Sequence, residues 1–249
     1  FRRVLFRSLI LMVMVYCMCQ LSVFASENTG VLLLTPEEAQ AKYEMLLEQG
    51  VIKEYTPTIM PASTIVDRNR YLVYSVGVKQ SNGYYCGPAA VLQALYASSD
   101  AGNVSGTTNT AKQKTLASSS YLRTDIDQAT SIYNMPATLK AFTGKTWSMM
   151  HVNNSNPSYN IYKSHEAGNA VIYLIDTIHL SYYDYSCIHY VTGTGIYFDT
   201  YTYANINEID VRLQDPHYDN SYYGEHTVSM SELIDALSEI SYSNVVYCY

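Results

Sequence analysis

The chain has 249 residues, of which 48% are hydrophobic and 15% charged, a balance that excludes an intrinsically disordered protein. Its formal net charge of −7 excludes the basic footprint that nucleic acid or anionic lipid demands. No Gly-x-x-x-x-Gly-Lys pattern occurs, which excludes a P-loop nucleotide site.

Residues 1–25 read as a secretory signal: Arg2, Arg3 and Arg7 precede an apolar run from Leu9 to Cys19, and Ser22 to Ala25 offers the small residues of a cleavage site. The alternative is an N-terminal membrane anchor, although the run is short for a permanent span. Residues 1–8 also resemble the translation of a sequencing adapter. Removing residues 1–25 takes away three arginines and no acid, so −7 becomes −10. Three cysteines then remain, Cys86, Cys187 and Cys248. An odd count leaves at least one thiol unpaired or bridged between chains. Cys187 and Cys248 can form a disulfide, which spacing does not decide.

Residues 26–75 read as a leader or arm with one helix. Thr35 is its N-cap, Pro36 its first position and Glu38 the capping-box partner, with Ala39, Tyr43, Leu46 and Leu47 at helical spacing and Gly50 as the stop. The polar stretch Glu54 to Arg70 runs on extended. This segment is a packing arm, a linker or an inhibitory propeptide. Residues 76–249 suit one domain with a sizeable core.

Within that domain, Gln80-Ser81-Asn82-Gly83-Tyr84-Tyr85 is a turn that leads into Cys86-Gly87-Pro88-Ala89-Ala90 and then Val91, Leu92, Ala94 and Leu95. Pro88 belongs in an opening helical turn, so Cys86 stands at a helix N-terminus, where unpaired N–H groups and the helix dipole favour a thiolate. Gly87 leaves room for a substrate carbonyl. Gln80, six positions upstream, can share a developing oxyanion with the Cys86 N–H. The alternative for Cys86 is a disulfide half or a small buried apolar residue.

A loop follows from Asp100 to Asn109, then helices over Thr110 to Ser119, after Tyr121-Leu122-Arg123-Thr124-Asp125, and from Met135-Pro136. The period then changes. Ala170 to Asp176, His189 to Phe198 and Ile209 to Pro216 read as strands, and Ser229-Met230-Ser231-Glu232 as a capping-box helix start. Helices first and antiparallel strands after make an α+β domain.

A thiol nucleophile needs a base. His189 opens an apolar strand after the turn Tyr182-Tyr183-Asp184-Tyr185-Ser186, so it is the candidate. His165, His179, His217 and His226 stand in polar contexts that suggest exposed loops or strand ends, and His151 has no distinguishing neighbour. Asp215, at the end of the next strand and followed by Pro216, is the candidate to orient His189; Asp184 and Asp199 are weaker rivals.

Gln80, Cys86-Gly87-Pro88-Ala89, His189-Tyr190-Val191 and Asp215-Pro216, in that order, resemble the bacteriocin-processing type of papain-like cysteine peptidase, and most of all the stand-alone exported domains of family 39 of the cysteine peptidases. The resemblance covers roughly Val76 to the C-terminus. It implies a papain-like fold, with a helical first part carrying the nucleophile at a helix N-terminus and an antiparallel sheet as the second part. It also implies a catalytic set of Cys86 as nucleophile, His189 as general base and acid, Asp215 as its orienting residue and Gln80 as oxyanion donor. The chain departs from papain itself around the nucleophile, and it lacks the ATP-binding exporter to which processors of double-glycine leaders are fused.

The function so implied is that of an exported thiol hydrolase cutting peptide bonds in a peptide or protein substrate. It works as a monomer, secreted or at the surface of a bacterial cell, with no cofactor, no metal, no nucleic acid and no stable membrane insertion after signal removal. The alternatives are a transamidase using the same site, a surface binding module whose site has decayed, and a cell-wall amidase.

Overall fold

The computed structural model describes residues 30–54, 70–152, 157–198 and 209–249, so the signal segment lies outside the described residues. Helix α1 (Pro36–Glu48) begins with the expected capping box: Thr35 Oγ1 accepts from the Glu38 N–H, and the Glu38 carboxylate accepts from the Thr35 N–H at 2.9 Å. Its Ala39 and Leu46, with Val31 before it and Ile52 after it, are buried in one apolar cluster with the residues of the cysteine helix. Ahead of α1, Val31 forms a parallel bridge with Thr130, and the Leu32 N–H donates to the Thr130 carbonyl at 2.9 Å. Residues 31–52 of the arm are thus built into the core.

The first part of the domain carries α2 (Cys86–Ala97), α3 (Asn109–Ala117), α4 (Thr124–Asp127) and α5 (Met135–Thr143). Every residue of α2 from Cys86 to Leu95 is buried, as a helix apolar on all sides must be. The Asp100–Asn109 loop holds one short 3-10 turn, Ala101–Asn103.

The described strands form one antiparallel sheet: β1 (Arg70–Leu72), β2 (Ser148–Met150), β3 (Val171–Asp176), β4 (Ile188–Phe198), β5 (Ile209–Asp215), β6 (Gly224–Ser229) and β7 (Val245–Tyr247). The order is β2-β7-β3-β4-β5-β6, with β1 paired to the outer part of β4. Both faces are covered. Ile172, Leu174, Tyr190 and Val246 join the cluster around α2. Tyr173, Ile175, Val191 and Val245 join a second cluster with Ile161 of α6 (Pro157–Glu166) and Leu233 and Leu237 of α7 (Met230–Ser238). Burial on both faces is why β3 reads as an unbroken apolar run.

The result is the expected α+β class, a helical layer laid on an antiparallel sheet. Ser229 caps α7 through a second capping box with Glu232. The sheet begins at Arg70, six residues before Val76. No helix among the described residues is long and apolar enough to cross a membrane.

Candidate active site

Cys86 is the first residue of α2, and the Ala89 N–H closes the first turn on the Tyr85 carbonyl at 3.0 Å. The N–H groups ahead of that bond have no acceptor within the helix, which leaves partial positive charge beside the thiol. The Tyr85 side chain does not cap the helix; its hydroxyl reaches out to the Asp125 carboxylate of α4. Farther along, Thr192 of β4 donates its hydroxyl to the Ala90 carbonyl at 3.2 Å. The helix that carries Cys86 is therefore pinned to the strand that carries His189.

Gly87 serves packing, not substrate access. A Cβ on Gly87 would lie 2.3 Å from Thr130 Oγ1 and 2.5 Å from Thr130 Cβ, so a β-branched side chain already occupies that space. The expectation of open room for a carbonyl is corrected: the bare face lets α2 approach the Thr130 segment.

Sheet register joins His189 to Asp215. Gln214 pairs with Thr192, which sets Asp215 opposite Val191 and makes His189 its diagonal neighbour on the same face. The His189 Nε2–H donates to Asp215 Oδ1 at 3.0 Å. His189 also hydrogen-bonds the Cys86 side chain. With Nε2 committed to Asp215, Nδ1 is the nitrogen left for exchange with the thiol.

Asp215 is fully buried and accepts four donors. Oδ1 takes His189 and the His217 N–H, at 2.8 Å; Oδ2 takes the hydroxyls of Tyr183, at 2.9 Å, and Tyr182, at 3.1 Å. Burial works against both charges, pushing His189 down and Asp215 up. The pair outweighs it: the Asp215 carboxylate and the Cys86 contact raise His189 well above its ordinary value, and His189 with the other donors lowers Asp215.

Gln80 is held on three sides. Its N–H donates to the Pro216 carbonyl at 2.7 Å, one residue past Asp215. Gln113 of α3 brackets it, accepting from the Ser81 N–H at 3.0 Å and donating to the Lys79 carbonyl at 2.9 Å. Gln80 Nε2 donates one hydrogen to the Asn82 carbonyl at 2.8 Å, and Oε1 is buried with no hydrogen-bond partner. All four candidate side chains are buried: Cys86 is 0% exposed, Asp215 0%, His189 2% and Gln80 5%.

Cys187 and Cys248 do not pair. Cys187 Sγ accepts from the Thr177 hydroxyl, and Cys248 Sγ donates to the Thr146 carbonyl at 3.3 Å. Burial pushes both thiols up, the opposite of what a nucleophile needs.

Two histidines expected in exposed polar positions are not exposed. His165 lies fully buried on α6, donating Nδ1–H to the Asn169 carbonyl at 3.0 Å, and burial lowers it to about 4. His217 is 4% exposed, with its ring centre 5.5 Å from that of His189. Its Nδ1 accepts the Asp219 N–H at 3.0 Å, so Nε2 carries the hydrogen that meets the Tyr185 hydroxyl at 2.9 Å. Burial, and then the neighbouring His189 charge, lower it from its ordinary value. His179 meets Glu239, His226 donates to the Tyr222 carbonyl at 2.8 Å and stacks on Tyr182 with ring centres 3.7 Å apart, and His151 meets the Ile240 carbonyl. Among the rivals to Asp215, Asp184 is exposed and accepts from Tyr222; Asp199 lies outside the described residues.

Tyr182, Tyr183, His217, Gln113 and Thr130 support the site without having been singled out in the sequence. The signal for the tyrosines was their run beside Asp184 in the turn before His189. No protein-family model matches the chain, and no curated protein matches it either.

Proposed function

We propose that the protein is a thiol hydrolase of papain-like fold, a cysteine peptidase, acting through Cys86, His189, Asp215 and Gln80. The observation that carries this reading is the continuous buried contact from Cys86 to His189 to Asp215, with the nucleophile at a helix start and its base on the adjoining strand. The order of layers, nucleophile helix first and base-bearing antiparallel sheet after, supports the papain-like assignment.

The chemistry follows from the contacts. The Cys86 thiolate adds to an amide carbonyl, forming the C–S bond. The oxyanion draws on the Cys86 N–H and on the second Nε2 hydrogen of Gln80, once the amide turns toward it. His189 hands its proton to the departing amine as the C–N bond breaks, leaving a thioester. Water, deprotonated by His189, then adds to the thioester and releases the acid and the thiolate. Asp215 stays ionised and holds the ring. Within the Gln80–Pro88 stretch, solvent reaches mainly the turn Ser81–Tyr84, so that turn is where a substrate enters.

A transamidase shares the first half-reaction. The burial of Cys86, which limits water at the thioester, is the observation in its favour. Acceptor competition separates the two: a primary amine that appears in the product at the expense of the free acid identifies the transamidase.

The test is intact-mass labelling of folded protein, residues 26–249, with iodoacetamide and with a peptidyl electrophile. One adduct, absent in Cys86→Ala and formed about 10²-fold or more slowly in His189→Ala, is the expected result. Labelling of Cys187 in preference to Cys86, or equal rates in wild type and His189→Ala, overturns the assignment.

A further inference from the structure

A cavity of about 550 Å³ lies between α1, the end of β2 and the turn before β7, and its lining includes none of Gln80, Cys86, His189 or Asp215. Its size is that of a small-molecule site. Three phenol rings from separate elements line it: Tyr43 of α1, Tyr133, and Tyr242. The Tyr133 and Tyr242 rings stand 6.0 Å apart at 40°, an open corner rather than a closed stack. The Tyr133 hydroxyl oxygen accepts from Ser243, and its ring adds an aromatic wall to the lining. The Met149 thioether adds a polarisable wall, and the exposed carboxylate of Glu54 stands at the rim.

The charge pattern is one-sided. Among the described residues no lysine or arginine lines the cavity, and His151, which does, bonds through Nε2 to the Ile240 carbonyl at 2.8 Å. Aromatic faces are electron-rich, and three of them with a carboxylate at the mouth attract a cation that carries its own apolar surface. A metal ion is a poor match, because phenol faces and a thioether are not its donors. The net charge of −7 over the whole chain draws cations toward the surface.

We propose that this cavity is a binding site for a small alkylammonium cation, with the charged nitrogen among Tyr43, Tyr133 and Tyr242 and Glu54 facing it from the rim. The inference is independent of the catalytic reading.

The probes are choline and its uncharged isostere 3,3-dimethylbutan-1-ol, titrated by calorimetry into the folded protein. Choline is expected to bind saturably and about tenfold more tightly than the isostere. Glu54→Gln and Tyr43→Leu are each expected to weaken choline by roughly three- to tenfold and to leave the isostere little changed. Thermal unfolding of each variant checks the fold, and Glu54 is exposed enough that its substitution leaves the core alone. Cys86→Ala keeps choline binding intact. Equal affinity for the two probes, no saturable choline binding up to about 100 mM, unchanged affinity in both Glu54→Gln and Tyr43→Leu, or loss in Cys86→Ala overturns the proposal.

Discussion

Tyr183 donates its hydroxyl to Asp215 Oδ2 at 2.9 Å, on the oxygen that His189 does not use. The carboxylate is thereby held from both ends, and the plane in which it meets His189 is set by tyrosines from a different turn. Tyr183→Phe removes a hydrogen bond to a charged group and is expected to cost about 1.5–3 kcal/mol. Asp215→Ala leaves His189 and three other donors without their acceptor and is expected to cost about 3–5 kcal/mol. The Asp215 carboxyl titrates below its ordinary value in the fold, so its stabilisation is present above about pH 4 and is lost as pH falls through the folded value. Tyr183→Phe raises that folded value toward the ordinary one. Urea unfolding as a function of pH reads all three effects, and an acid limb identical in Tyr183→Phe and wild type contradicts the arrangement.

Gln80→Ala separates the oxyanion from the nucleophile. Turnover of an amide substrate is expected to fall about 10²–10³-fold, as for loss of one oxyanion donor. Alkylation by iodoacetamide, which makes no oxyanion, is expected to proceed at the wild-type rate. A matching fall in both rates shows that Gln80 acts by holding the turn before Cys86, through its Nε2 bond to the Asn82 carbonyl.

His165 supplies a pH effect far from the candidate site. Its ring is buried and titrates at about 4 in the fold, against 6.5 when unfolded. Between those values the unfolded chain binds a proton that the native protein refuses. Stability is therefore complete above pH 6.5 and declines as pH falls toward 4, by an amount on the order of 3 kcal/mol. His165→Asn, which can still donate to the Asn169 carbonyl, is expected to flatten this window in chemical denaturation curves. A slope as steep as that of wild type rules out His165 as its source.

The arm is expected to be indispensable to folding, so its removal inactivates. Val31, Leu46 and Ile52 are each buried against the α2 cluster, and burial of such side chains is worth about 1.5–3 kcal/mol apiece. Their sum approaches the whole stability of an ordinary domain. A chain beginning at Val76 also loses β1 from the sheet. Far-ultraviolet dichroism and thermal melts of that truncation are expected to show no cooperative transition. A folded truncation with faster Cys86 labelling is the result that identifies an inhibitory propeptide instead.

Much of this was legible because local chemistry and tertiary placement agree. Thr35, Ser229 and Pro88 announce helix starts by capping and by a missing N–H, and those starts stand where they were read. The apolar runs of β3 and β4 are long enough to carry their own period. The strands that escaped notice, β1, β2, β6 and β7, are short, three residues each apart from the six of β6, and exist through pairing with neighbouring strands. His165 and His217 were misread for a related reason: polar neighbours in sequence do not disclose that helix packing and the Tyr185 ring seal them from water. Gly87 looked like room for substrate because nothing in its vicinity names Thr130, 43 positions away.

Opposite β5, β4 carries one extra residue between Gly193 and Gly195, where the register shifts. The His189–Asp215 diagonal lies on one side of that shift, and the strand ends at Phe198 and Ile209 lie on the other. Sliding of the outer ladder by one residue would turn the buried Ile196, Ile209 and Val211 out of the core, so its register is fixed and changes in length are expected to be confined to the connection between residues 198 and 209. The distal end of this hairpin is thus free to diversify in length during evolution at little cost to the chemistry.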